Sequence, residues 1–215
     1  MNKSNETLAI FDTFIEEIPN DEMNHYKPLK SRKFNQNEKN SDSLIRLFKK
    51  IYLYCSLEMH TENKLRYFYF INDKNILFED STTNFIYNLD SEIDDDYTIR
   101  KMLNDKFSHL LIHPLLYKQV SNSSQSIKYC PRNIKYVAWS LGVIILLHIF
   151  EVDKELLHSL YFRSLNNNFS SRILVEQFFE ISVKKKNKVI LVEKLLNCSG
   201  REDKNDLMDF FNKNF

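Results

Sequence analysis

The sequence predicts a mainly α-helical domain with one or two short β-hairpins, and three observations support that prediction. Residues 136–150 form the most apolar run of the chain and contain no charged residue. Apolar residues recur at helical spacing before and after this run. Two short β-prone segments, 75–78 and 84–89, flank a polar turn in the first half. At 215 residues, the chain is long enough for a sizeable core without metal or disulfide cross-links.

The run at 136–150 predicts a buried helix rather than a membrane span. A spanning helix needs roughly 20 apolar residues, whereas this shorter run is bounded by Lys135 and Glu151. Because the run is apolar on all sides, other elements should cover the helix on all sides. Gly142 lies inside it and predicts a second helix packed so close that a side chain there would not fit.

Charge and composition exclude several classes of function. The 30 Lys and Arg residues balance 29 Asp and Glu residues, so no basic excess indicates nucleic-acid binding. Only two glycines occur, which excludes the glycine-rich loops that cradle nucleotide phosphates. Three widely spaced cysteines predict free thiols in a reducing compartment, and residues 1–16 lack a signal-peptide pattern. We therefore expect an intracellular protein, cytoplasmic or nuclear.

Two regions are predicted, an N-terminal region at 1–42 and a helical domain at 43–215. In the first region, apolar residues at 8–18 follow helical spacing, and Pro19 ends that helix. Residues 19–43 are polar and predict a mobile linker.

The domain at 43–215 is predicted to begin with a helix from Ser41 or Ser43 to about His60. A β-prone stretch at 66–71 follows, and then the hairpin. The later predicted helices are 98–103, 107–116 (with Pro114 inside it), 136–150, 154–162, 170–183, 189–196 and 204–215.

Three places in this domain resemble motifs of eukaryotic protein kinases, in the same order. The family's catalytic loop, His-Arg-Asp-Leu-Lys-x-x-Asn-Ile-Leu, is similar to residues 68–77, and its metal-binding Asp-Phe-Gly is similar to residues 88–90. The segment Cys130, Pro131 and Arg132 resembles the family's Ala-Pro-Glu. Residues 137–144, which contain Trp139, Ser140, Leu141 and Gly142, resemble the family's Asp-x-Trp-Ser-Leu-Gly-Val-Ile. The resemblance implies the C-terminal lobe of a kinase, in which 136–150 is the buried central helix.

The departures from the family pattern remove the catalytic groups. Phosphoryl transfer depends on an Asp that accepts the substrate proton and on an Asp and an Asn that hold magnesium. The proton-accepting Asp falls on Phe70, the following Lys on Asn72 and the magnesium Asp on Asn88. Only Asn75 keeps its residue type, and Asp73 is displaced by three residues.

The polar contacts that brace an active kinase lobe are also missing from the sequence. The acid of Ala-Pro-Glu falls on Arg132, and the acid that opens the central helix falls on Val137. Residues 1–42 have no glycine and no series of strands from which an N-terminal lobe could form. The resemblance therefore implies a truncated, catalytically inactive kinase-like protein that holds neither a cofactor nor a metal.

Other chemically reactive residues have a structural interpretation that we favour. His60 is expected to pack and cap a helix rather than act as a base. His109 and His113, spaced i and i+4, could form half a metal site, but no Glu or Cys joins them at ligand spacing. Asp94, Asp95 and Asp96 are interpreted as a solvated turn. Cys130 and Cys198 are interpreted as structural thiols. The basic residues Lys184, Lys185, Lys186 and Lys188 are interpreted as a solubilising loop.

Three functional hypotheses follow from the sequence. The first is a non-catalytic kinase-like module that binds a protein partner, for which a kinase is one candidate, and acts as its regulator or decoy. The second is a divergent kinase that still binds nucleotide through Asn75 and Asn88. The third is a helical interaction protein unrelated to kinases. None of them involves a membrane span or nucleic acid, and the oligomeric state stays open.

Overall fold

Helices dominate the part of the chain that the structure describes, and a small sheet lies beside them. The computed structural model describes residues 15–16, 25–29, 34, 38–58, 71–79, 84–88, 100, 102–121, 133–166, 186–200 and 203–215. In chain order its strands are β1 (Ile15–Glu16), β2 (Tyr26–Pro28), β3 (Ile76–Glu79) and β4 (Phe85–Asn88). Its helices are α1 (Glu38–Glu58), α2 (Pro114–Ser121), α3 (Ile134–His148), α4 (Lys154–Asn166), α5 (Lys186–Leu196) and α6 (Lys204–Asn214).

Helix α3 is the buried centre of the fold, as the sequence predicts. All eleven residues from Tyr136 to Leu146 are buried, and so is Ile134. The helix begins two residues earlier than predicted because Asn133 caps it, its side-chain oxygen accepting the backbone N–H of Lys135 at 3.1 Å. The predicted mainly helical fold with a hairpin is confirmed at this level.

Helices α3 and α5 pack closely at Gly142. A Cβ atom at this position would lie 2.9 Å from Leu196 Cδ2 and 3.3 Å from Leu195 Cβ. The first distance is shorter than carbon contacts allow, so the glycine sets how near the two helices come. The predicted close helix approach at Gly142 is confirmed.

Helix α1 starts at Glu38, earlier than predicted, and therefore crosses the boundary expected at residue 42. Ser41 lies within the helix instead of capping it. Lys188 of α5 donates to Ser41 Oγ at 2.7 Å and lies 2.9 Å from Asp42 Oδ1. The prediction of a basic loop is wrong for Lys186 and Lys188, since both belong to α5 and one of them joins α5 to α1.

The described strands form one sheet in the order β1-β4-β3-β2. Strands β3 and β4 form the predicted antiparallel hairpin, with Ile76 opposite Tyr87. Strand β2 pairs with β3, and β1 pairs in parallel with β4. The helix predicted at 8–18 is wrong at Ile15–Glu16, and the linker predicted at 19–43 is wrong at Tyr26–Pro28. In both places, backbone pairing to an exposed edge of the hairpin decides the conformation.

The helix predicted at 107–116 is two elements. A 3-10 turn at Ser108–Leu111 ends before Pro114, which begins α2. Proline is well suited to a first helical position because its missing N–H would have no partner there. His113 caps α2, its Nδ1 accepting the backbone N–H of Leu115 at 3.1 Å.

Helices α4, α5 and α6 occupy the places predicted for the last helices of the chain. The predictions for 66–70 and 170–183 lie outside the described residues. In the described ranges from 15 to 215, no helix is long and apolar enough to cross a membrane.

Candidate functional site

The segment that resembles a catalytic loop forms a short capped turn before strand β3. Ile71 is fully buried and anchors the segment. The Asn72 side chain accepts the backbone N–H of Lys74 at 3.1 Å and caps the 3-10 turn Asp73–Asn75. Asn72 therefore has a local structural role at the position where the resemblance puts a Lys. Phe70, at the position where the resemblance puts the proton-accepting Asp, lies outside the described residues.

Asp73 of this turn contacts the last residue of the central helix. Its Oδ2 lies 3.0 Å from Nε2 of His148, 75 residues further along the chain. The two side chains are 20% and 11% exposed. Burial opposes ionisation of Asp73, but the hydrogen bond and charge of His148, with Lys154 and Lys74, outweigh it and hold the pKa of that carboxyl below its ordinary value. The carboxylate is thus engaged in tying the turn to α3.

Asn75 and Asn88 lie beside each other at the open end of the hairpin. The pairing of Ile76 with Tyr87 puts Asn75, which directly precedes β3, next to Asn88, the last residue of β4. The side-chain nitrogen of Asn75 is buried and has no hydrogen-bond partner among the described residues. Both side chains are neutral, so they can offer amide oxygens but no charge to a bound cation.

The Trp-Ser-Leu-Gly motif holds the central helix against the 3-10 turn at 108–111. Trp139 Nε1 donates to the carbonyl of Leu110 at 2.9 Å, and Ser140 Oγ donates to the carbonyl of Leu111 at 2.7 Å. Both side chains are buried, and Leu141 is fully buried beside them. These contacts give the motif a structural role in this fold. Cys130, Pro131 and Arg132, the segment that resembles the family's Ala-Pro-Glu, lie outside the described residues.

His109 and His113 do not face a common ligand position. The ring of His109 lies 5.2 Å from that of His158, whereas the ring of His113 lies 5.3 Å from Tyr136 and 5.4 Å from Trp139. Helical i and i+4 spacing does not apply because the 3-10 turn ends at Leu111, between the two residues, and α2 begins only at Pro114, after His113. Among the described residues, no three His, Cys, Asp or Glu side chains form a group that could hold a metal ion.

The other candidates divide between described and undescribed parts of the chain. Cys198 is a buried free thiol, and its sulfur lies 3.8 Å from the hydroxyl of Tyr52. Burial raises the pKa of that thiol, which disfavours the nucleophilic thiolate. The predictions for His60, for Asp94, Asp95 and Asp96, and for Lys184 and Lys185 lie outside the described residues.

Sequence reasoning missed the Asp73–His148 contact. The two residues are distant in the chain and match no motif together. The available signal was the position of His148, a polar residue near the end of an otherwise apolar helix. A buried helix places such a residue against a polar partner, because an unpaired polar group in the interior is costly.

Comparisons of the chain with protein-family models, with curated proteins and with solved structures find no match.

Proposed function

We propose that the protein is a non-catalytic module, similar to a kinase C-terminal lobe, that acts by binding a protein partner. The observation that carries the proposal is the Asp73–His148 contact, which engages the carboxylate of the loop in a structural role. A side chain that tethers the loop to α3 is not free to accept a substrate proton.

The order of the described elements supports the kinase-like part of the proposal. A long helix, a capped turn, a hairpin, a short helix and a buried central helix follow one another in the order that the resemblance implies, and three helices come after them. The central helix carries Trp139, Ser140 and Gly142 at the positions where the family motif has them.

The neutral side chains of the loop support the non-catalytic part. Asn72 caps its own turn, and Asn75 and Asn88 stand where magnesium would need at least one carboxylate. Without such charge, the site lacks the groups that stabilise the transition state of phosphoryl transfer.

A second candidate function is weak nucleotide binding at the hairpin. The observation that favours it is the unpartnered side-chain nitrogen of Asn75, adjacent to Asn88. A buried amide without a partner is unusual in a folded protein, and a ligand oxygen could satisfy it.

Thermal unfolding with and without millimolar magnesium and ATP separates the two functions. A ligand present at 100 times its dissociation constant stabilises the folded state by about 2.7 kcal/mol. We expect no shift of the melting temperature. A shift that Asn75→Ala abolishes, and that the exposed matched control Asn187→Ala retains, would replace the proposal with nucleotide binding.

Partner binding needs its own experiment. The immobilised chain is used to capture proteins, and each captured protein is then purified and its dissociation constant measured. We expect a partner that binds the folded chain and is not retained by a control sample of the same chain that has been denatured by heat. Equal retention by this control would indicate adhesion to exposed apolar surface and would contradict the proposal.

A further inference from the structure

His109 lies in a buried aromatic cluster that joins the 3-10 turn to helices α2 and α4. It is 3% exposed. Its ring centroid lies 5.8 Å from that of Tyr117 on α2 and between 5.2 and 5.3 Å from those of three residues of α4, namely His158, Tyr161 and Phe162. The packing of α4 on this part of the molecule is therefore centred on a titratable ring.

The two ring nitrogens of His109 have different surroundings. Nδ1 lies 2.9 Å from the carbonyl oxygen of Asp105, so in the neutral ring Nδ1 carries the proton and donates it. Nε2 is buried and has no hydrogen-bond partner among the described residues. A second proton would have to go on Nε2, where it would create a buried cation without an acceptor.

The charged groups around the ring do not cancel this cost. The carboxylate of Asp105 accepts the backbone N–H groups of Phe107 and Ser108, which lowers the pKa of that carboxyl to about 2. Lys106 pairs with Glu155 of α4 at 2.6 Å. Burial lowers the pKa of His109 most, the Asp105 carbonyl and charge oppose that effect, and His158 adds to it.

The other elements near the ring bring further charged groups. Helix α2 has Lys118, which is exposed, and α4 has Lys154, whose Nζ lies 5.8 Å above the ring of Phe107. Both are cations, so neither could pair with a protonated His109. Asp105 is the anion whose charge acts on His109, and its carboxylate is already bonded to its own turn.

We propose that His109 is an acid-sensitive latch, whose protonation releases helix α4 from the 3-10 turn and from α2. At neutral pH the uncharged ring packs among four aromatic neighbours. When it takes up a proton, the ring is more stable in water than in the cluster, and the contact between the turn and α4 opens. This inference stands independently of the proposed function.

Hydrogen exchange measured as a function of pH tests the latch. Protection factors, which correct for the pH dependence of intrinsic exchange, are compared at pH 7.5 and 5.0 for α3 and for residues 154–162 of α4. Below about pH 6.5, opening linked to one proton lowers protection by up to tenfold per pH unit. We expect this loss in α4 before any loss in α3.

Two variants assign the effect. His109→Phe keeps a ring of similar size and removes the titration, so protection of α4 should no longer depend on pH. His113→Asn removes the neighbouring buried histidine, keeps a capping side chain for α2, and should leave the acid response of α4 unchanged. Persistence of the full acid response in His109→Phe would overturn the proposal.

If His109→Phe does not fold, the intact protein provides the test through the ring resonances of His109. We expect the ring to titrate over the same pH range in which α4 loses protection. A ring that takes up its proton while α4 stays protected would also overturn the latch.

Discussion

The two ends of helix α3 are held in place by different chemistry. In the N-terminal half, Trp139 and Ser140 donate neutral hydrogen bonds to buried carbonyl groups. At the C-terminal end, His148 meets the carboxylate of Asp73. Neutral buried bonds depend little on salt, whereas a partly exposed charged contact depends on salt and pH. The contacts of the N-terminal half therefore depend little on salt, while the attachment of the loop to the C-terminal end depends on it.

The largest expected effect lies in the N-terminal half. Trp139→Ala should lower the free energy of unfolding by about 3–5 kcal/mol, because it leaves a large cavity and an unpaired carbonyl at Leu110. Urea denaturation measures the change. Trp139→Phe keeps most of the apolar volume and should cost less, and an equal cost for both variants would mean that the hydrogen bond, not the packing, holds this end.

Acid should weaken the same half of the helix through His113. Burial lowers the pKa of His113 to about 3, and Lys135 adds to this effect. Because the unfolded chain takes up the proton at its ordinary pKa of about 6.5, stability is complete above that pH. It should fall by about 1.4 kcal/mol per pH unit below it, or about 3 kcal/mol at pH 4.5.

The measurement for His113 is the difference in unfolding free energy between the native chain and His113→Asn across pH 4.5–7.5. At pH 7.5 the native chain should have the larger free energy of unfolding, and this difference from His113→Asn should shrink as the pH falls. Parallel pH profiles for the two proteins would show that His113 does not titrate on unfolding and that the N-terminal half is independent of pH.

Gly142 gives a smaller effect in the middle of the helix. Gly142→Leu should destabilise the fold by about 1–3 kcal/mol, because the added side chain meets Leu195 and Leu196 of α5. Gly142→Ala is the milder control, since the gain in helix propensity of up to about 1 kcal/mol offsets part of the clash. Thermal unfolding compares the two. A neutral Gly142→Leu would indicate that α5 can move away from α3.

The smallest effect is expected at the C-terminal end. Asp73→Asn and His148→Gln should each cost about 1 kcal/mol, and a double-mutant cycle should show that they are coupled. The pKa of Asp73 is lowered in the fold, so this contribution is present above about pH 4 and is lost as the pH falls through the folded value. If the coupling energy between Asp73 and His148 is the same at low and high salt, the two ends of α3 do not differ in their dependence on salt.

Much of the fold was accessible from the sequence because apolar periodicity reports burial directly. The run at 136–150 predicted α3 to within two residues at each end, and the two short β-prone segments at 75–78 and 84–89, on either side of a polar turn, predicted the hairpin. These signals come from side chains. The role of Gly142 was also predictable, because close packing against a second helix is the main reason for a glycine inside an apolar helix.

The parts that escaped prediction depend on partners that are distant in sequence. Strands β1 and β2 are held by backbone hydrogen bonds to the hairpin, and such bonds leave no side-chain pattern. The Asp73–His148 contact joins residues whose proximity is created only when α3 has docked. His109 and His113 have separate surroundings because the 3-10 turn ends before Pro114 begins α2. The spacing of the two histidines alone does not show this change of element.

Both glycines of the chain are associated with helix α3, one inside it and one next to its first turn. Gly142 faces α5 from within α3, and Gly200, at φ 135°, lies beside the Asn133 side chain that caps α3, where a Cβ would be 3.1 Å from Asn133 Oδ1. In a library of random single substitutions, two segments 58 positions apart would therefore report on one structural element. Loss of variants at position 200 under selection should report on the start of α3, and loss of variants at position 142 should report on its contact with α5. A genetic selection could therefore locate both parts of the helix without a structure.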